Sequence, residues 1–92
     1  MPLIQSGGRM KRADSTAILA GIIKERRRDK GLSQLEVGRL VGVRQATISK
    51  LENDPGSTKL ETLFRVISAL GIGLYAADKN VPDENREWKE EW

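Results

Sequence analysis

Apolar residues recur through the middle of the chain at three- and four-residue intervals, in four short blocks separated by glycines or by a Pro-Gly turn. That period is helical, so the pattern predicts four helices. The first carries Ile18, Leu19, Ile22 and Ile23, with Asp14 or Ser15 as its cap, and runs on through Lys24-Glu25-Arg26-Arg27-Arg28. Cations near its end suit the negative pole of a helix, and Gly31 supplies a residue able to stop it. The second opens on Ser33-Gln34-Leu35-Glu36, where Ser33 and Glu36 have the spacing of a capping box. Leu35, Val37, Leu40 and Val41 are its apolar positions, and Gly42 ends it. The third runs roughly from Arg44 to Glu52, seated by Ile48 and Leu51, before Asn53-Asp54-Pro55-Gly56 breaks it. The fourth is expected to start on a second capping box, Thr58 with Glu61. Leu60, Leu63, Phe64, Val66, Ile67 and Leu70 form its apolar stripe, and Gly71 stops it.

Beyond Gly71 the period changes. Ile72, Leu74 and Ala76 alternate with Gly73, Tyr75 and Ala77, which predicts a short strand over residues 72–78. A lone strand leaves its backbone donors and acceptors unpaired and needs a mate. The nearest mate is the same strand of a second copy, so Ile72, Gly73, Leu74, Tyr75, Ala76 and Ala77 are the expected dimerisation residues. The alternative is an extended segment packed on its own domain. The fold class expected is thus all-α: a compact helix-turn-helix bundle of four to five helices, with one C-terminal strand pairing across a homodimer.

Residues 1–13, with Pro2, the Gly7-Gly8 pair and no period, read as a flexible basic arm. Residues 14–78 form the domain, and residues 79–92 read as an acidic, disordered tail. Charge follows the same division. Residues 1–30 hold eight Lys/Arg against three Asp/Glu, whereas residues 79–92 hold three against five. A basic front and an acidic end suit separate partners. Two tryptophans, Trp88 and Trp92, stand in the tail, and Trp is a frequent interface anchor.

Composition narrows the chemistry. The 92 residues suit one small domain whose core benefits from a partner subunit. The absence of Cys and His removes disulfides, thiolate or imidazole metal sites, and Ser-His or Cys-His nucleophile pairs. An enzyme is therefore the weakest reading, and no cofactor or metal is expected. No apolar run approaches a membrane span and no signal-peptide core follows the N-terminus, so a soluble cytoplasmic protein is expected.

Two short helices joined at Gly42-Val43 form the pattern of a helix-turn-helix. Gly38, inside the second helix, costs roughly 1 kcal/mol of propensity relative to Ala. That cost makes sense where the third helix crosses too closely for a side chain. With Ile48 and Leu51 turned inward, Gln45, Ala46, Ser49 and Lys50 are left outside, and no acid occurs from Arg44 to Lys50. Most exposed helices carry Glu, Lys and Arg; small and amide residues fit a DNA groove better. Gln can bind adenine N6 and N7 together, Ala can touch a thymine methyl, and Ser can donate to a base edge or phosphate. Arg44 suits guanine or phosphate equally. Gln34, at the start of the second helix, is placed to meet a phosphate. The candidate DNA-binding residues are Ser33, Gln34, Arg44, Gln45, Ala46, Thr47, Ser49 and Lys50.

The run S-Q-L-E-V-G-R-L-V-G-V-R-Q-A-T-I-S-K-L-E-N resembles the Xre/Cro-type helix-turn-helix family of phage and bacterial repressors, over about residues 15–71. In that family the residues matching Gln34, Gln45, Ala46, Ser49 and Lys50 lie at the DNA surface. The family also pairs an Arg of the first helix with the Glu ending the third, which implies a structural ion pair of Arg27 with Glu52. R-Q-A-T-I-S-K-L-E-N-D-P, T-K-L-E-T-L-F-R-V-I-S-A-L, the segment I-G-L-Y-A-A-D and an acidic end in E-W are similar to the HipB-type antitoxins. That resemblance implies a homodimer with paired C-terminal strands. It also implies repression of its own operon at a palindromic operator in double-stranded DNA. The partner implied is a HipA-type Ser/Thr kinase toxin, with Trp88 and Trp92 as candidate toxin contacts. The longer basic N-terminal arm departs from the pattern. The other readings are a repressor without a toxin partner and a protein-interaction module acting through the Trp-containing tail.

Overall fold

A computed structural model describes residues 11–78. Its helices are α1 (Thr16–Asp29), α2 (Gln34–Val41), α3 (Gln45–Asn53) and α4 (Leu60–Ala69), with a single 3-10 turn, Pro55–Ser57, before α4. Residues Ala13–Gly73 make up one compact unit. The four predicted helices are all present.

Both ends of α1 and the start of α2 follow the chemistry read from the sequence. Ser15 caps α1, its hydroxyl accepting from the Ile18 amide at 3.1 Å. At the other end Gly31 adopts a positive φ, and the Gly31 and Leu32 amides donate to the Arg28 and Arg27 carbonyls. This is a Schellman closure. Ser33 and Glu36 form the expected capping box, each side chain accepting from the other's backbone amide at 3.0 and 2.8 Å. The α4 start differs. Its N-cap is Lys59, without a side-chain hydrogen bond, rather than Thr58. The Pro55–Ser57 turn draws the Thr58 amide onto the Pro55 carbonyl, so Thr58 closes that turn instead of opening the helix.

The core joins all four helices: Ile23 of α1, Val37 of α2, Ile48 and Leu51 of α3, and Val66 and Ile67 of α4, with Leu70 just beyond. Leu60 and Phe64, expected in the core stripe of α4, are 68% and 51% exposed, and Leu40 of α2 is 62% exposed. A helix of ten residues turns only one side to a small core, and that side is taken by Leu63, Val66, Ile67 and Leu70. Leu40 and Phe64 instead line an open groove between α2 and α4 with Val41, Arg65 and Ala69.

Gly38 is a requirement of the turn. A Cβ built there would lie 2.7 Å from the Val43 carbonyl oxygen, and both the Gly42 and Val43 amides donate to the Gly38 carbonyl. The close approach is made by the backbone entering α3, more than by the body of α3 as the sequence suggested. Gly42, at φ +81°, turns the chain across that contact.

The strand expected at residues 72–78 has no counterpart among the described residues. Ile72 belongs to the end of α4: its amide donates to the Ile67 carbonyl at 2.8 Å, Gly71 donates to Ser68, and its side chain packs on the core. From Gly73 to Asp78 the chain is exposed and carries no regular structure, with Leu74 and Tyr75 open to solvent. A ladder needs a second strand, and none stands among the described residues. Trp88 and Trp92 lie outside the described residues.

Candidate nucleic-acid interface

Ile48 is fully buried and Leu51 nearly so, which fixes α3 against the core and settles which of its sides faces out. Arg44, Gln45, Ala46 and Lys50 are exposed, and Thr47 and Ser49 are half-buried. Arg44 is the N-cap of α3 and makes no capping hydrogen bond with its side chain. The exposed set therefore combines a cation at the start of the helix, an amide and a methyl in its first turn, and a second cation one turn on. It has side-chain donors at Arg44, Gln45 and Lys50 and no carboxylate.

Beneath this face lies a buried ion pair. The Arg27 Nε donates to Glu52 Oε2 at 2.6 Å and Nη2 donates to Oε1 at 3.1 Å, a two-point contact between α1 and α3. Nη1 donates to the Leu32 carbonyl at 2.8 Å, so the guanidinium also ties down the α1–α2 connection. Burial pushes the Glu52 carboxyl up, but hydrogen bonds from Arg27 and Gln34 and attraction to Arg27 and Lys24 outweigh it and hold the group below its usual range. The hydrogen bond to Glu52, with its charge, raises Arg27 against the opposing effect of burial. The pair implied by the resemblance is present, between the same two residues.

The pair extends to the surface. Gln34 Nε2 donates to Glu52 Oε1 at 3.0 Å, and Gln45 Nε2 donates to Gln34 Oε1 at 3.1 Å. Arg27, Glu52, Gln34 and Gln45 thus form one chain from the interior to the outer face of α3. Neither link was legible in the sequence. Gln34 lies 18 residues from Glu52 and 11 from Gln45, and only the α2–α3 crossing brings them together. A second missed residue is Asn53, whose amide donates to the Ser49 carbonyl at 2.9 Å and to the Ser49 hydroxyl oxygen at 3.3 Å. Their i,i+4 spacing is the signal that would have found it. With its oxygen accepting from Asn53, the Ser49 O–H can still donate. Ser33 accepts from the Glu36 amide in its capping box and is exposed.

Among the described residues there is no cluster of acidic side chains able to hold a metal, and no helix is long and apolar enough to cross a membrane.

Comparison with known proteins places this geometry among relatives. The helix-turn-helix family profile matches residues 23–75. Antitoxin HipB of Escherichia coli (strain K12) is 37% identical over 76 residues, which cover 80% of this chain and 86% of that protein. Antitoxin HigA1 of Mycobacterium tuberculosis (strain CDC 1551 / Oshkosh) is 38% identical over 67 residues, 73% of this chain and 45% of its own length. Two solved structures superpose well: a HipA-HipB-O2-O3 complex with a TM-score of 0.74, and a HipB-O4 20mer complex at 0.73. In both, identity is 32% and the match covers 77% of this chain and 100% of the other.

Proposed function

We propose, for a chain that belongs to the helix-turn-helix family and within it to the HipB-type antitoxins, that it represses transcription as a homodimer on a palindromic operator. The observation that carries this reading is the outer face of α3: exposed Arg44, Gln45, Ala46 and Lys50, free of acids, on a helix seated by fully buried Ile48. Ala46 and Lys50 sit one turn apart on the exposed side, with Thr47 and Ser49 half-buried at its edges. Ser33, Gln34 and Arg44 provide donors at the start of α2 and α3, where a phosphate or base edge meets two helices at once. Solved relatives are complexes of HipB with a 20mer and with HipA.

Residues 72–77 of two copies would pair as strands across the dimer, each supplying the ladder that a strand requires. The exposed Leu40, Leu60 and Phe64 on α2 and α4 are further apolar surface for a second subunit to cover. Residues 1–13 form the basic arm and 79–92 the acidic tail of the proposed division. The antitoxin role assigns the second partner to a HipA-type Ser/Thr kinase, met by the tail through Trp88 and Trp92.

Two measurements test these assignments. Gln45→Ala and Lys50→Ala should each weaken binding to the operator region upstream of the gene, by about 1–3 kcal/mol where the side chain reads a base. Lys50→Ala should also flatten the salt dependence if it holds a phosphate. Titration by fluorescence anisotropy at several salt concentrations separates the two, and unchanged affinity in both variants would remove α3 as the reading helix. Deleting residues 79–92 should reduce affinity for the neighbouring kinase while leaving operator affinity intact, measured by calorimetry. Unchanged kinase affinity would exclude the tail as a contact.

A further inference from the structure

The chain of hydrogen bonds from Arg27 to Gln45 has a direction. An ionised carboxylate only accepts, so whatever meets Glu52 must donate to it. Arg27 does so from two nitrogens, and Gln34 does so from its amide nitrogen at 3.0 Å. With its nitrogen turned inward, Gln34 presents its oxygen to Gln45, which donates to it at 3.1 Å. Gln45 then keeps one N–H and its carbonyl oxygen for the outside. One donor beside one acceptor is the pattern that adenine meets with N7 and N6–H2; guanine, with acceptors at both N7 and O6, does not.

We infer that Glu52 is a positioning residue that sets the polarity of Gln34 and, through it, the preference of Gln45 for adenine over guanine. This rests on the base-reading role proposed for Gln45. The ion pair with Arg27 accordingly does two things. It joins α1 to α3, and it supplies a fixed acceptor from which the orientation of two amides follows. A glutamine free in water turns its amide over at little cost; this one is biased by a charge two side chains away. Gln34 is half-buried, which limits competition from water for the middle link.

Two variants separate this role from structural support. Arg27→Met/Glu52→Leu removes the acceptor together with its ion-pair partner, so no charge orients Gln34 and both amides are free to turn. Gln34→Met cuts the relay while leaving the Arg27–Glu52 pair whole. The experiment is selection from a randomised 20-base-pair duplex library by wild type, Gln45→Ala, Gln34→Met and Arg27→Met/Glu52→Leu, each first checked for a cooperative melt. Gln45→Ala identifies the position that Gln45 reads.

At that position wild type should favour adenine by roughly 5- to 150-fold. Gln34→Met should lose most of that preference, with the other positions unchanged. Arg27→Met/Glu52→Leu should lose most of it as well. Adenine preference kept at full strength in Gln34→Met, even with a uniform fall in affinity, overturns the inference. So does a folded Arg27→Met/Glu52→Leu that selects adenine at full strength. Should that double variant fail to fold, Gln34→Met decides alone. A wild-type chain in which Gln45→Ala changes no position overturns the base-reading role itself, an outcome distinct from failure of the relay.

Discussion

Replacing Arg27 with Met should destabilise the fold by about 3–5 kcal/mol, because it leaves the Glu52 carboxylate buried without its partner. The Glu52 side chain has no exposed surface and accepts both guanidinium hydrogen bonds. Small domains have a total stability of about 5–15 kcal/mol, so this change takes a large share. The double variant Arg27→Met/Glu52→Leu should recover most of the loss, since a buried pair replaced by apolar groups of similar size is often nearly neutral. Acid should imitate the single variant. The Glu52 carboxyl is held below its ordinary value of 4.5 in the folded chain. Its contribution is therefore complete above the unfolded pKa and lost as pH falls through the folded one. Urea denaturation at neutral pH and at about pH 3 checks both arms, with the wild type losing this contribution in acid and the double variant, which has no carboxylate at position 52, having none to lose. A single Arg27→Met variant within about 1 kcal/mol of wild type would contradict the placement of the pair.

Gly38→Ala is the second large effect. Ala is the better helix former by about 1 kcal/mol, so propensity alone predicts a gain. Geometry predicts the reverse. The added Cβ would stand 2.7 Å from the Val43 carbonyl oxygen, which is backbone and cannot rotate away. Relief requires the α2–α3 turn to open, and overpacking of this kind typically costs about 1–3 kcal/mol, with the upper end expected here. For a domain of this size each kcal/mol lowers the melting temperature by about 4–8 °C. Opening the turn also tilts α3, so operator affinity should fall further than stability alone explains. Gly21 lies in α1 with open space around it, and Gly21→Ala is the matched control that should stabilise. A Gly38→Ala variant that melts at or above wild type would show that the turn is not held as described.

These cases show what the sequence carried and where it stopped. Helix boundaries were legible because caps are local: Ser33 and Glu36, or Gly31 and Gly42, act within one turn of their own position. Thr58 was misread for the same reason in reverse, since a proline turn three residues earlier claimed its amide. Leu60 and Phe64 matched the helical period as well as Val66 and Ile67 did, and period alone does not say how wide the core is. The candidate DNA face was legible as a set of residue types. Its internal wiring was not, because the Glu52–Gln34–Gln45 links join residues distant in sequence and depend on the crossing of two helices. Residues 72–78 stand at the limit: the alternation of a strand is written there, and no strand forms at these positions among the described residues.

The central claim is that two copies of this chain read DNA through the outer face of α3. Its most direct measurement is the form of the site selected from random duplexes, together with the number of chains bound to it by sedimentation. The prediction is an inverted repeat bound by two chains, with Gln45→Ala losing preference at symmetry-related positions in both halves. Enrichment of no sequence, or of a single half-site bound by one chain, would contradict it.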